Sequence, residues 1–175
     1  MMKDPFAVLG LERRFDIEAT QIEQAYFKRQ ASSHPDRAGD TAGLASRGED
    51  ASSINEARRV LLDDESRANA LLTLLGGPEA SEEKALPDGL LVEMLEVRDR
   101  LMQAKQSGDP ELVHALETWA DEERNAYIGR LHSLFASAEQ SGDRTTLAEI
   151  RRQLNGLRYV ERLIEQLDPE YDGLA

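Results

Sequence analysis

Ser33-His34-Pro35-Asp36-Arg37 closes an amphipathic helical pattern and decides how the first part of the chain turns back on itself. Upstream, Ile22, Ala25, Tyr26 and Arg29 recur at helical spacing, and Lys28-Arg29 form a basic pair. Pro35 cannot continue a helix and biases His34 away from the αR region, so the helix ends before it. A polar stretch over 38–53 follows, and a second helical pattern opens at Ile54. A helix, a Pro-fixed polar tripeptide, a loop and an antiparallel return helix make a helical hairpin with His34-Pro35-Asp36 at its tip. By itself the tripeptide is also ordinary helix-ending punctuation.

Working outward, a short helix is expected over 4–9, with Pro5 in its first turn, Gly10 as its stop, and Phe6, Leu9 and Leu11 inward. Asp16 is a fair N-cap for the helix expected over about 17–32. The loop expected over 35–52 holds Gly39, Gly43 and Gly48 and has no period. Ser52 or Ser53 then caps a third helix with Ile54, Ala57, Val60 or Leu61, Ala68, Leu71 and Leu75 on one face. Gly76-Gly77-Pro78 is the strongest boundary signal in the chain. The expected organisation is a first domain over 1–76, an acidic linker over 77–87 and a second domain over 88–175. Three long helices are expected in the last, over about 88–107, 110–140 and 143 or 144 to 166, parted by Gly108-Asp109-Pro110 and Ser141-Gly142. No strand-like alternation is present, and short turns between long helices imply an antiparallel bundle. The fold class is all-α.

Composition narrows the function. At 175 residues, with 40% hydrophobic and 31% charged residues, the chain suits one compact domain or two small ones. Without cysteine there is no disulfide, thiolate nucleophile or thiolate metal site, which suits a reducing cytosol and a cytoplasmic protein. No run approaches the ~18 apolar residues of a membrane span, and the N-terminus lacks the apolar core of a signal peptide. The net charge of −13 argues against nucleic acid as a partner, because phosphate repels an acidic surface. Residues 1–75 hold 10 Lys/Arg against 13 Asp/Glu, whereas 76–175 hold 11 against 21. This asymmetry fits two modules with different partners.

The first helix of the second domain carries more apolar residues than one core face needs. Leu90, Met94, Val97 and Leu101 form an ordinary seam, and Leu91, Val92 and Leu95 lie beside it, continued by Glu96 and Asp99. In the last helix, Ile150, Leu154, Leu157, Val160, Ile164 and Leu167 form the seam, with Tyr159 and Leu163 as a second stripe. Periodicity leaves two readings open. The extra residues widen the core or touch the first domain, or they form an exposed apolar patch rimmed by carboxylates, as protein-binding sites often do.

Tyr26-Phe27-Lys28-Arg29-Gln30-Ala31 followed by His34-Pro35-Asp36-Arg37 resembles the second helix and loop of J-domain co-chaperones. Asp4-Pro5-Phe6-Ala7-Val8-Leu9-Gly10-Leu11 looks like their first helix, and Ile54-Asn55-Glu56-Ala57 like the start of their third. The run LLVEMLEVRDRL over 90–101 and LRYVERL over 157–163 resemble segments of the HscB family, the J-proteins of iron–sulfur cluster assembly. Arg67-Ala68, Leu71-Leu72, Leu74 and Gly76 match as well, so the resemblance spans nearly the whole chain. It implies a hairpin that docks on a DnaK/HscA-type chaperone and stimulates its ATP hydrolysis, through Tyr26, Lys28, Arg29, His34, Pro35, Asp36 and Arg37. It also implies a bundle that binds the scaffold protein IscU through Leu91, Val92, Leu95, Glu96, Asp99 and Tyr159. The chain departs from the family pattern in places: Val92 and Tyr159 stand where Met and Phe are common, Arg37 where Lys is, and Arg58 where an aromatic is. The cysteine metal site of the eukaryotic relatives is absent.

An enzymatic reading finds little support. His34, His114 and His132 have no i, i+3 or i, i+4 pairing for a shared metal, and there is no phosphate loop or nucleophile elbow. No catalytic residue, metal or cofactor is expected. Lys28, Arg29 and Arg37 suit steering towards an acidic chaperone surface. Two rival readings are a J-protein serving another client, its bundle a dimerisation or substrate module, and a helical scaffold in which His-Pro-Asp is incidental.

Overall fold

The computed structural model describes residues 3–32 and 44–167, and places seven helices and no strand among them. His34, Pro35, Asp36 and Arg37 therefore lie outside the described residues, as do the ends of the chain. The chain divides into two compact units, Met1–Gly76 and Gly77–Ala175.

In the first unit, α1 (Pro5–Leu9) is capped by Asp4, whose carboxylate accepts from the amides of Phe6 at 3.0 Å and Ala7 at 3.2 Å. It packs on α3 (Leu44–Leu62) and α2 (Ala19–Ser32). Pairing of Tyr26 with Asn55 and of Glu23 with Arg58 shows that α2 and α3 run antiparallel. The helix expected to start after Ser52 or Ser53 already runs from Leu44, so the expected loop over 35–52 is helical in its last part and both serines lie inside α3. Leu44-Ala45-Ser46-Arg47 suits a helix, and one interior glycine, Gly48, costs only about 1 kcal/mol against alanine.

The expected third helix is also broken. Asp63 is extended and caps a separate α4 (Asp64–Leu74), accepting from the Ser66 amide at 2.8 Å, with Asp64 and Glu65 in the positive first turn. Arg67 braces the break. Its buried guanidinium donates to the Phe15 carbonyl at 3.0 Å, the Leu61 carbonyl at 2.6 Å and Asp64 at 2.6 Å, and lies over the Phe15 ring. Phe6, Leu9, Phe15, Ile17, Ile22, Ile54, Leu61, Leu71 and Leu72 fill the core around it.

The second unit holds α5 (Leu90–Ser107), α6 (Pro110–Ser141) and α7 (Arg144–Leu167). Gly108 and Gly142 end α5 and α6 at φ 65° and 59°, the left-handed conformation that lets the chain turn at once into the next helix. At 32 residues α6 is about 48 Å long and serves as the spine. Its later part runs antiparallel to α7, with Arg124 on Glu161, Tyr127 on Gly156 and Arg130 on Gln153. Its earlier part packs on α5, where Val97, Leu101, Ala104 and Leu116 share a core with Leu163 of α7. The stretch over 78–85 is stitched to α7: Arg151 donates to the Pro78 carbonyl, and Asn155 to the carbonyls of Glu83 and Ala85, all at 3.0 Å.

Candidate interaction surfaces

Ile22 turns inward from α2, and Thr20, Gln24, Phe27, Lys28, Gln30 and Ala31 are exposed. Tyr26 is half-buried and held from several sides. Its hydroxyl donates to Asn55 Oδ1 at 2.9 Å and accepts from Gln30 Nε2 at 2.6 Å, and the Arg58 guanidinium sits 5.1 Å from its ring centre. Arg58 also grips Glu23 through Nε at 2.9 and 3.1 Å and Nη2 at 2.5 Å. Its hydrogen bonds hold the Glu23 carboxyl below the usual carboxylate range. The departure from an aromatic at position 58 thus has a local account: the planar guanidinium stacks on Tyr26 as a ring could, and adds an ion pair.

Arg29 and Lys28 play different parts. Arg29 donates from Nε to the Val8 carbonyl at 2.8 Å, tying α2 to the end of α1. Lys28 is exposed, and both residues border a shallow depression with Leu9, Leu11 and Gln24. Of the residues expected to face a chaperone, Tyr26 and Arg29 serve the fold, towards α3 and α1 respectively, and Lys28 is exposed beside the depression, about 160° around α2 from Tyr26.

On α5 the two apolar stripes separate. Leu90, Val97, Leu101 and Ala104 are buried, while Leu91, Val92 and Leu95 are 58%, 65% and 64% exposed. At about 100° per residue, Leu91, Leu95, Asp99, Val92 and Glu96 fall within an outward arc of roughly 140°. Glu96 and Asp99 are exposed beside the apolar side chains. The stripe does not widen the core of its own unit. Met102, half exposed, lies between Leu91 and Leu95 in angle and carries the stripe a further turn or two along α5. The sequence reading passed over Met102. Its spacing of seven from Leu95 was the available signal.

Tyr159 reaches the surface from α7 and is likewise exposed. Leu163, expected in the same stripe, instead turns into the core with Val97 and Leu101, because one more helical turn carries it under α5. Tyr159 and Leu163 both line a groove shared with Met94, Arg98 and Leu101 of α5 and with Arg162 and Gln166 of α7. The outward arc of α5 therefore combines an aliphatic ridge with acidic neighbours, and Tyr159 borders the same helix at Met94 and Arg98. Such a surface buries apolar area against a protein partner while its charges select orientation. No group of three or more His, Asp or Glu side chains suited to a metal occurs among the described residues, and no described helix is long and apolar enough to cross a membrane.

Comparison with known proteins gives two family matches. Residues 4–70 match the DnaJ domain and residues 86–168 the HSCB C-terminal oligomerisation domain. The chain is 31% identical over 173 residues to a co-chaperone protein HscB homolog of Aeromonas hydrophila, covering 97% of this chain and 96% of that one. It is 28% identical over 178 residues to one from Azoarcus sp., covering 99% and 97%. Human co-chaperone protein HscB has a similar fold, with a TM-score of 0.79 at 20% identity over 98% of this chain and 84% of that one. Chaperone HscB from Vibrio cholerae gives 0.76 at 22% identity over 98% and 99%.

Proposed function

The chain belongs to the HscB family of J-domain co-chaperones, and on that premise we propose that it stimulates ATP hydrolysis by a DnaK/HscA-type chaperone while delivering the iron–sulfur scaffold IscU to it. The observation that carries the client half is the outward ridge of Leu91, Val92 and Leu95 beside Glu96 and Asp99. Soluble surfaces rarely gather this many aliphatic side chains unless a partner covers them. Tyr159 extends the same client surface from α7.

For the chaperone half, the supporting features are the J-domain match over 4–70 and the basic face of α2. In the proposed mechanism Lys28 and Arg29, together with Arg37 in sequence, steer the unit towards an acidic chaperone surface. His34, Pro35 and Asp36 supply the directed contacts that trigger hydrolysis. Catalysis resides in the chaperone, and this chain acts as its regulator. Carrying trigger and client on one chain raises their effective concentration, so hydrolysis is coupled to the presence of IscU. The working compartment in this proposal is the cytoplasm. The proposed division of labour assigns residues 1–76 to the chaperone and 88–175 to the client, with 77–87 between them.

The test is steady-state ATP hydrolysis by a DnaK/HscA-type chaperone with this protein, with and without IscU. Stimulation is expected to rise further with IscU, vanish in His34→Gln, and lose only the IscU-dependent gain in Leu91→Ala/Leu95→Ala. If His34→Gln abolishes stimulation and IscU adds nothing, the protein is a J-protein for another client. Absence of stimulation in every combination would remove the chaperone reading.

A further inference from the structure

Four phenylalanines occur in the chain, and three of them, Phe6, Phe15 and Phe135, are completely buried. The fourth, Phe27, is 63% exposed in the middle of the polar outward arc of α2. Its ring meets Tyr26 edge to face at 5.4 Å, and Tyr26 is itself pinned by Asn55, Gln30 and Arg58. A solvent-facing aromatic backed by a fixed neighbouring ring and next to an exposed lysine has the composition of an interface hot spot: large apolar area, only two side-chain torsions to fix, and a neighbouring charge to guide approach.

We propose that Phe27 is the apolar anchor of the chaperone-docking face, inserting into a recess beside acidic groups on the DnaK/HscA-type partner. This rests on the chaperone reading above and adds to it a residue that the charged positions alone do not supply. The occupant follows from position and charge. Phe27 lies on the outward arc of α2, about 100° around the helix from the exposed Lys28, whose charge suits an acidic surface, in the unit whose residues 4–70 match the DnaJ domain. Steering charges set the rate of encounter and are screened by salt; a buried ring sets the rate of departure and is not. Phe27 and Lys28 therefore divide the work between staying and arriving.

The experiment measures binding of the full-length protein to an ATP-loaded, hydrolysis-deficient DnaK-type chaperone by surface plasmon resonance at low and high salt, together with stimulation of the active chaperone. Phe27→Ala is expected to weaken binding about tenfold at both salt concentrations, mainly through faster dissociation. Lys28→Ala is expected to slow association at low salt only. Phe27→Leu, which keeps an apolar side chain, is expected to recover most of the loss. Melting temperature and IscU binding are expected to stay at wild-type values in all three, and sedimentation velocity to be the same for wild type and Phe27→Ala. Binding by Phe27→Ala within twofold of wild type, in a protein whose stimulation is abolished by His34→Gln, overturns the anchor and leaves the chaperone reading standing. A change of oligomeric state in Phe27→Ala also overturns it, because the ring would then serve a second copy of the chain. Failure of the wild-type protein to bind or stimulate the chaperone removes both.

Discussion

Truncating Leu91, Val92 and Leu95 together to alanine separates the proposed client surface from the fold that carries it. The three substitutions remove eight side-chain carbons from positions that are 58%, 65% and 64% exposed. At about 0.8 kcal/mol per buried carbon, scaled by those exposures, a partner that covers the ridge loses about 4 kcal/mol on meeting the truncated surface. That corresponds to an affinity drop of several hundred- to a thousandfold. The fold loses almost nothing: exposed positions away from caps and packing usually move stability by less than about 0.5 kcal/mol each, and alanine is the best helix former. Isothermal titration of IscU into wild-type and triple-variant protein reads the first quantity, and a thermal melt reads the second. A triple variant that binds IscU within tenfold of wild type, while melting at the same temperature, would show that the ridge is not the client contact. Equal loss of binding and of melting temperature would show that the ridge supports the fold.

Three other perturbations test the framework. Arg67→Ala removes the side-chain donor to the Leu61 carbonyl, one of two donors to the Phe15 carbonyl, which keeps the Ile17 amide at 3.0 Å, and the partner of Asp64, in a unit of 76 residues. The expected cost is about 3–5 kcal/mol, read as early exchange of α3 and α4 amides; exchange as slow as in wild type contradicts the bracing role. In Gly156→Ala the new methyl meets the Tyr127 ring at 2.6 Å, so the second unit is expected to lose about 1–3 kcal/mol, followed by fluorescence of Trp119, the sole tryptophan. A gain in stability there would mean that α6 and α7 have slack. Arg58 lowers the Glu23 carboxyl pKa, so their pairing stabilises the first unit above the ordinary glutamate range of about 4.3 and is lost as pH falls through the lower, folded value. Glu23→Gln is expected to flatten that acid slope in a pH series of thermal melts, and an unchanged slope would rule the pair out as its source.

Local chemistry made much of the fold legible. Asp4-Pro5 and Gly10 bracket α1, and Gly108-Asp109-Pro110 and Gly142 end and start the long helices, because a cap or a stop acts within a few residues of itself. The break at Asp63 went unread although Asp63-Asp64-Glu65-Ser66 has the composition of a helix start. Val60, Leu61, Ala68 and Leu71 continue the apolar period across it, and the period outweighed the cap. What Arg67, Arg29 and Arg58 hold was out of reach, since each acts on atoms brought close only by the fold: the Phe15 carbonyl, the Val8 carbonyl and Glu23. On α5 the sequence could place Leu91, Val92 and Leu95 on a common face but could not say whether anything covered it. Their exposure answers that for the second unit alone.

The stitching of residues 78–85 to α7 bears on how a new molecule matures. Arg151 and Asn155 lie 70 or more residues beyond the carbonyls they hold, so while the polypeptide is being made those carbonyls must wait for the last helix. Leu163 is likewise made more than 60 residues after Val97 and Leu101, yet it completes the core beneath them. In the first unit the bracing contacts of Arg67 with Phe15, Leu61 and Asp64 close within Met1–Gly76. Folding in step with synthesis therefore forms the J-domain first and firms α5, with its outward ridge, only once α7 has been made. On the proposed division of labour, a nascent copy gains its chaperone-engaging unit before its client-binding one is firm.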